Sequence, residues 1–232
     1  MQRRSFAIAL ATTPVLVLPP AFVHAQALAS LTDADATKGL KTALELGATT
    51  AVKLLGKQDG FWANPKVRIP LPDALQQASK LLKAMGRKQQ VQDLELAINR
   101  AAENAVPLAK NLLVNAVKTM SVTDAKNILT GGETSVTTFF ADRTRSPLTT
   151  QFLPVVKQAT SKVGLAAKYD QLAGQAAGIG LLRKEDASID QYVTRKALDG
   201  LYLVIGDEEK KIRRDPVGTG SAILEKVFGA IR

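Results

Sequence analysis

The chain has 232 residues, a formal net charge of +10, 46% hydrophobic residues and no cysteine. A chain of this size buries roughly 70% of its unfolded surface, so it can hold a core without disulfides. Its one histidine, His24, lies in a segment read below as a leader. The rest of the chain then has neither His nor Cys, which removes the usual ligands of zinc, copper and haem and leaves no Ser-His-Asp or Cys-His catalysis within the chain. An enzyme is therefore the less expected reading, and no cofactor is expected.

The first residues read as a secretory leader. Met1-Gln2-Arg3-Arg4 is basic and Ala7 to Leu18 is apolar. Val23-His24-Ala25 or Ala25-Gln26-Ala27 then presents small residues for cleavage after Ala25 or Ala27. The apolar run is shorter than the ~20 residues of a membrane span, and Pro14, Pro19 and Pro20 interrupt it. Residues 1–25 are thus expected to be a signal peptide, residues 28–232 a single all-helical domain, and the periplasm the destination. No transmembrane helix is expected in the mature chain. Arg3-Arg4-Ser5-Phe6 resembles a twin-arginine core, but Gln2 stands where Ser or Thr is usual. The general secretory route is favoured, with the twin-arginine route as the alternative.

Ser30-Leu31-Thr32-Asp33 opens the first helix as a capping box. Leu40, Ala43, Leu44, Ala51, Leu54 and Leu55 supply its apolar face, and Gly56 ends it. Asp33 and Asp35 do not begin a calcium loop, because the required Gly and Glu come one residue late, at Gly39 and Glu45. No metal site is expected.

From about Gly60 to Pro72 the chain cannot be an ordinary helix, because Pro65, Pro70 and Pro72 fall within it. Val67, Ile69 and Leu71 alternate with Lys66, Arg68 and Pro70, so an extended strap has one apolar and one basic side. Its expected place is across the bundle, with Trp62 plugging the core. The functional alternative is a partner-binding rim formed by Phe61, Trp62, Lys66 and Arg68.

A helix starting at Asp73 or Pro72 and running to Met85, stopped by Gly86, precedes the central element. There Val91, Leu94, Ile98, Ala101, Ala105, Leu108, Leu112, Ala116 and Met120 keep one apolar stripe. Pro107 lies on the opposite side, which predicts a kink, with a boundary at Val106 as the alternative. Ser121-Val122-Thr123-Asp124 caps a short helix that stops at Gly131-Gly132. A helix over 133–143 follows, and Ser146-Pro147 reads as the start of another, bent at Pro154 and ended by Gly164. Residues 165–180 are Ala/Gly-rich. Ser188-Ile189-Asp190-Gln191 then opens a long amphipathic helix, near whose end Asp207–Lys211 and Glu209–Arg213 can pair four apart. A last helix starts at Asp215-Pro216. The expected fold is an all-α, single-domain multi-helix bundle with one extended proline-containing strap.

The runs GFWANPKVRIPLP, NRAAENAVPLAKNLLVNAVKTMSVTDAKNILTGG, FLPVVKQATSKVGLAAKYDQL and TRKALDGLYLVIGDEEKKIRRDP resemble the domain of unknown function 4197 family, exported bacterial proteins of about this length. The resemblance spans nearly the whole mature chain. It implies a helical fold and an envelope location in a Gram-negative bacterium. It implies no activity, cofactor or catalytic residue.

Three functions fit these features. The leading one is a non-enzymatic periplasmic protein that binds an apolar or anionic envelope component, such as anionic lipid or an envelope polymer, or else a protein partner. Nucleic acid is not expected beyond the membrane. The second is an enzyme using carboxylate or lysine chemistry, for which Arg100 with Glu103 and Lys196 with Asp199 offer charge pairs one helical turn apart. Such pairs are ordinarily structural. The third is a structural or assembly protein of the envelope.

Overall fold

A computed structural model describes residues 33–73, 76, 86, 88–132, 134–162, 166–167, 169–170, 188–215, 217–219, 221 and 224. The expected leader and the segments expected to form the first capping box, the helix over 73–85 and the last helix lie wholly or mostly outside them, as does most of the Ala/Gly-rich stretch. The elements are α1 (Asp33–Leu55), α2 (Lys88–Ala105), a 3-10 turn (Val106–Leu108), α3 (Ala109–Lys118), α4 (Val122–Thr130), α5 (Ser135–Thr160), α6 (Ile189–Arg214) and a second 3-10 turn (Val217–Thr219). Among the described residues there is no strand, and the fold is all-α.

Helix α6 lies against α5 and α1, α5 also packs on α2, and α1 on α3 and α4. One hydrophobic cluster draws on every helix and on the strap. Its bulk comes from Leu40, Leu44, Ile98, Leu113, Phe140, Phe152, Leu201 and Tyr202, all fully buried. Alanines at 101, 102, 105 and 109 are equally buried and let the neighbouring helices approach α2 and α3 closely.

The central stripe is re-phased at Pro107. Val106–Leu108 form a 3-10 turn, which has fewer residues per turn than the α-helices on either side. Leu108 consequently faces outward at 43% exposure, and Ala109 and Leu113 carry the stripe onward. Pro107 is exposed, where a missing N–H is best tolerated.

Helix α5 differs from expectation. Ser146-Pro147 does not start a new helix; one helix runs unbroken from Ser135 to Thr160 through Pro147 and Pro154. Both prolines are exposed, so the carbonyls they leave without an N–H partner face water. On the buried side Val136, Phe140, Thr144, Leu148, Phe152, Val156 and Thr160 follow one another every four residues. That continuous apolar face outweighs the local cap signal.

Of the two other expected capping boxes, that at Ser121 forms in full, and at Ser188 only the N-cap half forms. Ser121 Oγ accepts from the Asp124 N–H at 3.0 Å while the Asp124 carboxylate accepts from the Ser121 N–H at 2.9 Å. Ser188 Oγ accepts from the Gln191 N–H.

Candidate functional site

The strap is built from its first turn onward. Asp59 adopts a left-handed backbone with φ +67°, a conformation aspartate tolerates. A Cβ on Gly60 would meet the Leu55 carbonyl oxygen at 2.5 Å, so only glycine passes so close to the end of α1. Val67, Ile69 and Leu71 are then buried, and Lys66, Arg68 and Pro70 exposed. This is the burial pattern that the sequence predicts, but the segment is not extended throughout: residues 60–63 and 65–67 form turns, with the Val67 and Arg68 N–H groups both donating to the Asn64 carbonyl, and only residues 68–72 run free of turns.

The plug is Phe61. Its side chain is fully buried and lies against α6 where Gly200 leaves room; a Cβ there would stand 2.9 Å from Phe61 Cε1 and 3.2 Å from Val67 Cβ. Trp62, the expected plug, is half-buried and lies under the Arg68 guanidinium, 3.7 Å from the ring centroid. The two aromatics lie in turns closed by the Ala63 N–H to the Asp59 carbonyl and the Asn64 N–H to the Phe61 carbonyl, and only Phe61 enters the core. Phe61 is thus withdrawn from any contact surface, and Trp62, Lys66 and Arg68 remain on it.

An irregular segment pressed on a core must hydrogen-bond its backbone elsewhere. Two side chains of α2, one turn apart, do this. Buried Asn99 accepts from the Ile69 N–H at 2.8 Å and donates to the Ile69 carbonyl at 2.9 Å, as a neighbouring strand would. Glu103, 3% exposed, accepts at Oε1 from the N–H groups of Phe61 and Trp62 at 3.0 and 3.1 Å. Its Oε2 accepts from Arg100 at 2.6 Å, and Arg100 also donates to Asp59 at 2.8 Å. The Glu103 bond, and next the Asp59 bond, raise the Arg100 pKa against the opposing effect of burial. From α6, Tyr192 donates to the Pro70 carbonyl at 3.1 Å and Asp207 pairs with Lys66 at 2.8 Å. Arg68 pairs with Glu95.

These bonds decide the first candidate acid–base pair. Arg100 and Glu103 are together, but both Glu103 oxygens are engaged in holding the strap. The second pair is not formed. Asp199 bonds Arg145 of α5 at 2.8 Å and stands 3.7 Å from Arg195. The Lys196 ammonium instead lies 5.9 Å over the Tyr192 ring. Two arginines, one of them four residues away on the same helix, compete for Asp199, and a guanidinium fork suits a carboxylate better than an ammonium does. The expected Asp207–Lys211 pair is likewise replaced, since Asp207 goes to the strap and Lys211 to Glu208. The Arg213 side chain lies outside the described residues.

Strap, α5 and α6 enclose an open groove of about 390 Å³. Lys66, Arg68, Arg145 and Lys196 stand around it with Asp199, over a floor that includes Val67, Ile69, Gly200 and Tyr202. Tyr202 donates or accepts a buried hydrogen bond with Thr144 at 3.0 Å, and burial pushes its phenol pKa up. Arg145 lies 5.2 Å over its ring. The groove is a basic, partly apolar surface whose wall is the strap. Sequence reasoning found Lys66 and Arg68 but not Arg145, which the unbroken helix α5 brings across from the far half of the chain. Among the described residues no group of three acidic or metal-binding side chains is placed to hold an ion.

A model described as protein of unknown function, DUF4197, matches residues 30–229. The chain belongs to the DUF4197 family. The match takes in every described element of this DUF4197 protein, including the strap and its clamps on α2 and α6. No curated protein and no solved structure gives a match. Among the described residues of this DUF4197 chain, no helix is long and apolar enough to cross a membrane.

Proposed function

We propose that this protein is a non-enzymatic binding protein of the bacterial periplasm that takes an anionic envelope component in the groove between the strap, α5 and α6. The observation that carries this reading is four cationic side chains, Lys66, Arg68, Arg145 and Lys196, around a partly apolar floor, of which the first three are paired with Asp207, Glu95 and Asp199. Lys196 makes no ion pair among the described residues and so keeps its charge for a ligand. The leader expected from the sequence and the basic balance that remains without it, +8 once Arg3 and Arg4 are removed, support a partner in the envelope, whose surfaces are anionic. At about 390 Å³ the groove is at the small end of ligand sites, which suits a headgroup or a polymer segment rather than a whole diacyl lipid.

The test is titration of the protein purified from the periplasm with phosphatidylglycerol and phosphatidylcholine vesicles in graded salt, alongside native mass spectrometry for co-purifying species. Binding is expected for the anionic vesicles alone, weakening as salt rises. Lys196→Glu is expected to lower affinity about tenfold at low salt, a change of about 1.4 kcal/mol, whereas Lys110→Glu on α3 leaves it unchanged. Equal binding to both vesicles, or loss with either variant alike, counts against the groove. The same preparation tests export, because protein from the periplasm is expected to lack residues 1–25 or 1–27 by intact mass.

A further inference from the structure

Further along the α5–α6 seam, towards the start of α6, lies a second pocket of about 240 Å³. Arg145, Thr149 and Leu153 of α5 and Gln191, Thr194 and Arg195 of α6 line it. Arg145 also borders the strap groove, so the two sites adjoin. Every polar side chain lining this pocket can donate a hydrogen bond, and no carboxylate is among them. Leu153, the threonine methyls and the arginine stems give it an apolar wall.

Thr194 singles this pocket out. The residue is 1% exposed, and its hydroxyl oxygen is buried with no hydrogen-bond partner. The buried threonines of α5 behave differently. Thr144 donates to the Phe140 carbonyl and Thr160 to that of Val156. Thr149, at the pocket itself, donates to the Arg145 carbonyl. A buried polar atom left unsatisfied is rare in a folded protein and calls for a missing partner. The two guanidiniums, meanwhile, already converge on one carboxylate: Arg145 Nη2 is 2.8 Å from one Asp199 oxygen and Arg195 Nη1 3.7 Å from the other. Planar forks brought together in this way match a second carboxylate as well.

We propose that the pocket binds a small aliphatic carboxylate, whose oxygens are taken by Arg145, Arg195 and the Thr194 hydroxyl and whose chain lies against Leu153. The volume is below that of drug-sized sites, which confines the ligand to a short chain. The site is separate from the strap groove except for Arg145 and does not depend on the reading given for that groove.

The probe is octanoate, titrated calorimetrically into the full mature chain at low salt, with acetate as charge without chain and octanamide as chain without charge. Octanoate is expected to saturate a single site, with both controls at least about tenfold weaker. Thr194→Val, which keeps the shape and removes the hydroxyl, is expected to weaken octanoate about tenfold, and Thr194→Ser to retain it. Leu153→Trp, which fills the pocket from a partly exposed position, is expected to abolish it, and Lys110→Glu on α3 to leave it unchanged. Absence of saturable octanoate binding overturns the proposal. So does binding that Thr194→Val leaves intact, since the hydroxyl then serves a water only. Because Val and Ser at 194 differ little in size from Thr, that pair decides the matter even where the tryptophan variant does not fold.

Discussion

Asn99 makes three hydrogen bonds from one buried amide, two to Ile69 and one to the Glu95 carbonyl of its own helix. Asn99→Ala strands both the N–H and the C=O of Ile69 in the core. The expected loss is about 2–3 kcal/mol, read by urea denaturation, with faster amide exchange over residues 60–72 than elsewhere. Asp124 is a residue of the opposite kind, half-exposed and local. The Ser121 N–H, then the Ser121 hydroxyl and Arg143, hold its pKa below the ordinary carboxylate value against a smaller contrary effect of burial. Its contribution to stability is therefore complete above the unfolded carboxylate pKa and disappears as pH falls through the lower folded one. Asp170 runs the other way: burial raises its pKa, with Asp190 adding to the rise and the Ile189 N–H opposing it. Its protonation in acid then favours the fold. Comparing Asp124→Asn with the parent in denaturation between pH 6 and pH 2.5 isolates the first effect; the difference between them is expected to shrink as the pH falls.

Among the elements, the strap and α5 show what can be seen in a sequence and what cannot. Three prolines and the alternation of Val67, Ile69 and Leu71 make the strap legible, because both signals are local. The plug is not legible. Whether Phe61 or Trp62 enters the core depends on a hole that Gly200 leaves, 139 residues away in the chain. Asn99 is hidden for the same reason, as its partner is 30 residues upstream and nothing beside it announces a buried amide. Helix α5 is a different failure. Ser146-Pro147 looks the same whether a helix begins there or merely passes through, yet the four-residue spacing from Val136 to Val156 was present in the sequence and argues for continuity. The buried face, rather than the cap, marks the helix as continuous; its packing on α6 brings Arg145 beside Asp199. At the strap's point of closest approach, Gly200→Ala puts a methyl group against Phe61 and Val67. The expected cost is about 1–3 kcal/mol. Calorimetric melting measures it, and a gain in tryptophan solvent exposure, read by fluorescence quenching, shows that the strap has shifted.

At the scale of the molecule, the bundle has its basic groove where three parts from distant stretches of chain meet. The strap forms the wall and, through Val67 and Ile69, part of the floor, so the shape of the groove depends on the side chains that fasten it. Their sequence separations have a kinetic meaning. Phe61 and Trp62 are held by a carboxylate about 40 residues on, Pro70 by a phenol 122 residues on, and Lys66 by an acid 141 residues on. The first two need α2 in place and the other two need α6, and each closes a long loop with little local reward. The strap is therefore expected to dock after the helices that hold it. Substitutions in it should speed unfolding while leaving the refolding limb of the chevron almost unchanged, so that the helices are assembled before the groove is finished.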